Sequence, residues 1–217
     1  EDGIRDSVAS RGLGDVYKRQ GTSALHASLL AFGLGDGDEI LVPSFSFIST
    51  ANSVLFVNAT PSFVDIEEET LGLDPKLIEK SVTSSTKAII PMDYGGMSCQ
   101  ISEIKETAEN NNLLLIEDGA ESLGSSVKGK KVGSLSDATI FSFCGNKVLT
   151  TGEGGAVVTN SKEFAEKAKS LKNLYRKKEK YKIIDLNYYK IKDYLLKSLP
   201  SKDYKKMFSL DLSLIHI

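Results

Sequence analysis

The chain has 217 residues, 41% hydrophobic and 26% charged, with a net charge of −2; this is an ordinary globular composition with enough length for one substantial core. No apolar run is long enough to cross a bilayer, and the N-terminus lacks the basic-then-apolar plan of a signal peptide. Two cysteines, Cys99 and Cys144, with neither framework nor metal spacing, suit a reducing cytosol, and two histidines as far apart as His26 and His216 give a zinc site little to build on.

The charge is unevenly spread. Residues 162–206 hold 15 of the 27 basic residues and 6 of the 29 acidic ones, so that stretch is about +9 and the remainder about −11. A nucleic-acid patch is one reading of this. The lysines follow helical patterns with Leu, Ile and Tyr between them, which favours the other reading, a solvated helix face.

Taken in chain order, the two ends stand apart. Residues 15–20 read DVYKRQ and residues 212–217 read LSLIHI. Written as GAT GTG TAT AAG AGA CAG, the first has the reverse complement CTG TCT CTT ATA CAC ATC, which translates as the second. One short DNA element in opposite orientations accounts for both, and it resembles the transposase mosaic-end adapter of sequencing libraries. Residues 1–20 and 212–217 are therefore expected to be non-native, around a native segment 21–211 cut from a longer gene.

Within that segment, TSALHASLLAFGL (22–34) carries apolar residues at helical spacing and GDGDE turns the chain. EILVP (39–43) predicts a short buried strand, 47–57 a helix, and PSFVDI (61–66) a strand. Asp74 is the expected N-cap of a short helix over 75–82. KAIIPM (87–92) predicts a strand, and 102–111 a helix whose capping-box position holds Lys105 instead of an acid. LLLIED (113–118), ATIFSF (138–143) and GGAVVTN (154–160) predict three more strands, and 162–173 a helix. Strands alternating with helices imply an α/β fold with a mostly parallel sheet covered on both faces. Ligands of such sheets bind beyond the carboxyl ends of the strands. That rule singles out Asp118, Lys147 and the Gly21-Thr22-Ser23 step.

Each of these residues has a bland reading and a chemical one. Gly21-Thr22-Ser23 is either a plain helix cap or a phosphate seat of backbone N–H groups and hydroxyls at a positive helix end. Asp118 either caps the next turn or holds a protonated heterocyclic nitrogen. Lys147, in FSFCGNKVLTTGEGG (141–155), is either a solvated loop lysine or a nucleophilic amine, which must act in its uncharged form. The chemical readings together are the needs of pyridoxal phosphate.

Four stretches carry a resemblance: 21–66, TKAIIPMDYGG (86–96), LLLIEDGAESLGSSVKGKKVGS (113–134) and FSFCGNKVLTTGEGGAVVTN (141–160). In register and in order, from residue 21 to about 173, they resemble the DegT/DnrJ/EryC1/StrS family of pyridoxal-phosphate sugar aminotransferases. The resemblance implies a three-layer fold of the PLP-transferase type I large domain, truncated at both ends. It implies that Lys147 binds the cofactor covalently and shuttles the proton, and that Asp118 partners the pyridine nitrogen. Thr22 and Ser23 match the phosphate binders, and Ser142 matches a hydroxyl that also reaches the phosphate. Phe47 matches the aromatic that stacks on the ring, and Glu121 sits where members carry Gln, His or Glu near the phenolic oxygen. Gly152, Gly154 and Gly155 permit a tight backbone after the lysine.

The implied activity moves an amino group, usually from glutamate in this family, to a nucleotide-linked keto-sugar in polysaccharide or glycan biosynthesis. Lysine at 147, where dehydratase-type members carry histidine, favours transamination. The implied protein is a cytoplasmic homodimer with a shared active site, with no nucleic acid, membrane or metal partner. The alternative is a non-catalytic relative that binds pyridoxal phosphate or regulates, with the fragment itself inactive. Residues 21–173 are expected to be the partial cofactor-binding domain and 174–211 a lysine-rich helical continuation. The sequon at Asn58, the glycine rhythm of 33–39, Cys144 and His26 read as decoys: a motif without its machinery, a turn, a small filler and a packed or edge histidine.

Overall fold

The short apolar runs become strands because they are buried on both faces. In a computed structural model, which describes residues 21–177 and 213–216, β1 (Glu39–Pro43) is buried at every position after the first. Its side chains alternate: Ile40 and Val42 enter one core cluster while Leu41 enters another. The same period of two splits Ala88 from Ile89 in β3 (Thr86–Ile89) and Ile116 from Leu115 in β4 (Leu114–Asp118).

With β2 (Thr60–Val64), β7 (Ala138–Ser142), β8 (Gly155–Thr159) and β9 (Ser213–His216), these strands form a seven-stranded sheet of order β2-β1-β3-β4-β7-β8-β9. The first five run parallel. β7 and β8 are antiparallel, as are β8 and β9. The chain steps outward from β1 to β2, then crosses back to β3, so the sheet has its switch point between β1 and β3. β5 (Ser126–Val127) and β6 (Lys130–Lys131) make a separate small hairpin that the sequence pattern did not predict. Ser213–His216 lies in the segment read as adapter; pairing at a sheet edge uses backbone groups alone, which any sequence supplies.

Helices cover both faces. On one, α1 (Gly21–Phe32), α2 (Ser49–Phe56) and α5 (Lys162–Lys177) contribute Leu25, Leu29, Val54, Phe164 and Ala168 to the core. On the other, α3 (Pro75–Ser81) and α4 (Ile101–Asn110) contribute Ile78, Ile101 and Ile104. Complete burial of such a side chain contributes about 1.5–3 kcal/mol. Asp74 accepts from Lys76 N at 2.9 Å and caps α3 as expected, whereas α4 starts at Ile101 with no side-chain cap. Helix α2 begins two residues later than the sequence suggests, leaving Phe47 in the loop before it. In α5, Phe164, Ala165 and Ala168 are buried while Lys162, Lys167 and Lys169 are exposed. That part of the basic stretch is a solvated helix face; residues 178–206 of it lie outside the described residues, as do residues 1–20. Among the described residues no helix is long and apolar enough to cross a membrane.

Candidate active site

Asp118 is the last residue of β4. Its backbone N–H donates to Pro91 O at 2.8 Å and its carbonyl accepts from Asp93 N at 3.1 Å, which ties the strand end to the segment after β3. Gly119 follows because nothing larger fits: a Cβ there would lie 3.0 Å from Phe141 Cε1 and 3.1 Å from Ile140 O. The Asp118 side chain is buried, and each oxygen takes one donor, Thr50 Oγ1 at 3.0 Å and Ala120 N at 3.2 Å. Burial pushes this carboxyl up to about 6, and Asp93 adds to the rise; the two hydrogen bonds and the Lys147 charge pull the other way.

Lys147 sits in the hairpin between β7 and β8. Phe143 N donates to Gly154 O at 2.9 Å, Thr151 N to Phe143 O at 3.2 Å, and Lys147 N to Cys144 O at 3.0 Å. Gly152 and Gly154 have φ of 83° and 137°, in the region that favours glycine; Gly155 instead opens β8. The closed hairpin turns the lysine inward. Its Nζ pairs with Glu121 Oε1 at 2.8 Å, and the lysine side chain is 17% exposed. Glu121 Oε2 accepts from Gly95 N at 2.9 Å. Burial raises the Glu121 carboxyl, but its bonds to Lys147 and Gly95 and the lysine charge outweigh this and hold it below the usual carboxylate range.

Glu121 is positioned in turn by Asp93, which is fully buried. Asp93 accepts from Ser122 Oγ at 2.6 Å and from Cys99 N at 3.0 Å, so one carboxylate clamps the loop after β3 to the loop after β4. Ser125 Oγ adds a bond to Gly96 O at 2.7 Å.

At the next strand, Ser142 ends β7 and is buried. The first residue of α1 packs on it: a Cβ on Gly21 would lie 3.2 Å from Ser142 Cβ and 3.6 Å from its Oγ. Thr22 and Ser23 follow Gly21 in the first described turn of this helix; a helix start leaves its leading amides free of helical bonds. Phe47 lies at the same sheet edge, 57% exposed; the ring contact formed there is Phe45 on Tyr94, at 4.6 Å.

The sheet therefore pairs Lys147 with Glu121 directly, places Asp118 where the Lys147 charge acts on it, and sets Ser142 against the start of α1. Sequence reading missed Thr50, Ser46, Asp93, Ser122 and Gly95. Each lies in or beside a quoted motif; Ser46 bonds Thr50 four residues on, but Thr50, Asp93, Ser122 and Gly95 have partners 26 to 68 residues away that no local spacing reveals. Of the decoys, His26 is half-buried against Phe56, with ring centroids 5.6 Å apart, and desolvation lowers its imidazole.

The sequence profile described as the DegT/DnrJ/EryC1/StrS aminotransferase family matches residues 17–192. The chain belongs to this family. It is similar to GDP-perosamine synthase of Caulobacter vibrioides, 48% identical over 152 residues, which are 70% of this chain and 41% of that protein. Among solved structures, it resembles DesV of S. venezuelae with TM-score 0.70 at 35% identity, over 76% of this chain and 44% of that one. It also resembles NtdA of Bacillus subtilis with bound cofactor PMP, with TM-score 0.66 at 35% identity, over 69% of this chain and 34% of that one. The chain thus spans about two fifths of the length of the curated relatives it matches.

Proposed function

We propose that this chain is the cofactor-binding part of a pyridoxal-phosphate-dependent aminotransferase. The complete enzyme moves an amino group from glutamate to a nucleotide-linked keto-sugar in polysaccharide biosynthesis. One observation carries the reading: a shielded lysine amine and a buried carboxylate share the carboxyl edge of a parallel sheet, beside a helix N-terminus packed on a serine hydroxyl. The name of the relative GDP-perosamine synthase and the PMP bound in the NtdA structure support it.

The donor set fits the cofactor. The start of α1, with Thr22 and Ser23, and the Ser142 hydroxyl suit a phosphate. Asp118 suits the ring nitrogen, Phe47 the ring face and Glu121 the phenolic oxygen. When bound, the cofactor supplies an electron sink for the carbon that carries the nitrogen. The protein's own part is to keep a proton on the ring nitrogen through Asp118, and to take up and return a proton at Lys147 Nζ. Glu121 aims that nitrogen. Burial excludes water from Asp118 and strengthens its charge interactions.

In the same reading, residues 21–173 belong to a longer cytoplasmic protein that pairs with a second copy. The apolar side chains left exposed at this edge, Phe45, Phe47, Ile48, Met97 and Val148, suit such a contact.

The test is chemical. The complete protein is loaded with pyridoxal phosphate, reduced with borohydride and mapped by mass spectrometry. The fixed cofactor is expected on Lys147 and is lost in Lys147→Ala. A label that persists in that variant, on another lysine, would overturn the assignment.

A further inference from the structure

A pair of hydroxyls lies behind Asp118. Thr50, the second residue of α2, is buried, and its Oγ1 donates to Asp118 Oδ2 at 3.0 Å. Its other contact is Ser46 Oγ at 2.7 Å. A threonine hydroxyl has a single proton. While Asp118 is ionised, that proton goes to Oδ2, so Ser46 must be the donor between the two hydroxyls. Ser46 Oγ also lies 3.2 Å from Phe47 O and 3.0 Å from Met92 Sδ, both acceptors. If Asp118 gains a proton and turns donor, Thr50 must donate to Ser46 and Ser46 to one of those acceptors. The direction of the whole chain therefore follows the charge on Asp118.

The three residues come from the two sides of the switch point. Ser46 and Thr50 follow β1, and Asp118 ends β4, with Met92 after β3 lying between them. No neighbouring cation is bonded to Asp118 among the described residues. Asp93 and Lys147 face it as charges, one repelling and one attracting its ionised form.

We propose that Thr50 is the positioning residue of Asp118: it holds the carboxylate ionised and in a single orientation, and Ser46 sets the direction of its O–H. This rests on the reading of Asp118 as the partner of the cofactor's ring nitrogen. Neither hydroxyl need touch the cofactor.

The experiment follows the Asp118 carboxyl directly, by carbon NMR of labelled aspartate in the cofactor-free full chain. Thr50→Val keeps the shape and removes the hydroxyl. Its Asp118 titration midpoint is expected about one pH unit higher than in the parent. Thr50→Ser restores the parent midpoint, and Ser46→Ala moves it upward by less than Thr50→Val. Asp93 and Lys147 are unchanged in all three variants, so the shift reports the hydroxyls. A Thr50→Val chain that titrates at the parent pH, or a Thr50→Ser chain that titrates like Thr50→Val, overturns the proposal. A separate arm records the nitrogen NMR signal of ring-labelled pyridoxal phosphate bound to the parent and to Asp118→Asn. If that signal is the same in both, the reading of Asp118 fails, while the carboxyl titrations still decide the role of Thr50.

Discussion

Glu121 is held below the usual carboxylate range by one cation and one backbone donor. Its carboxyl is 2.8 Å from Lys147 Nζ and 2.9 Å from Gly95 N, and burial alone would raise it. Lys147→Met removes the opposing charge and one hydrogen bond together. The Glu121 carboxyl is then expected to titrate at higher pH than in the parent, read by carbon NMR of labelled glutamate. An unchanged midpoint would show that Gly95 alone holds it. The loss of stability is expected to be under about 1 kcal/mol, because the pair is partly solvated. Lys147 and Asp118 were legible as chemical residues because each stands where an apolar run ends. Thr50 was not, since a buried threonine in a helix start reads as packing until its partner is known.

At the scale of elements, the start of α1 decides whether a phosphate can sit there. Gly21 brings the helix to within contact of Ser142, and a methyl group on it would lie 3.2 Å from Ser142 Cβ and 3.5 Å from Ile140 Cδ1. Gly21→Ala is helix-favouring by propensity and overpacked by geometry. Displacing the first turn from Ser142 is expected to weaken pyridoxal phosphate binding about tenfold, a loss of about 1.4 kcal/mol, measured by absorbance titration. Unchanged affinity would move the phosphate seat elsewhere. Among the elements, β1, α3 and β4 were read with nearly their observed bounds, because short buried apolar runs mark the two strands and Pro75 with the Asp74 cap marks the helix. The β5–β6 hairpin escaped because two-residue strands have no period to detect.

For the whole molecule, the second face of the sheet carries a buried acid that the proposed chemistry does not use. Glu117 Oε2 accepts from Thr139 Oγ1 at 2.7 Å, Ser136 Oγ at 3.0 Å and Gly133 N at 3.2 Å. Burial, and then the Asp93 charge, nevertheless push this carboxyl from 4.5 up to about 7. Between those values the folded chain keeps a proton that the unfolded chain releases. Its contribution therefore declines as pH rises through that window and levels off above it. Glu117→Gln keeps an acceptor oxygen for the three donors and removes the titration. The parent is expected to lose about 3 kcal/mol relative to Glu117→Gln across the window, measured by urea unfolding at a series of pH values. Parallel pH curves for the two chains would refute this.

The layers and the family were legible in the residues alone. Hydrophobic period, turn residues and the order of motifs are local properties, and they imply strands between helices with a lysine and an aspartate at strand ends. Which side chains meet came from the packing of the strands. Thr50 and Asp118 are 68 residues apart, Asp93 and Ser122 29, and Glu121 and Lys147 26. Strand order determines these meetings: β1, β3 and β4 lie side by side although long stretches of chain separate them. The same holds for the reversal of β8 against β7, which follows from a tight hairpin closed by backbone hydrogen bonds across the lysine turn. A hydrogen bond across a sheet edge depends on which strands are neighbours, and that is settled only when the hydrophobic core clusters on the sheet are packed.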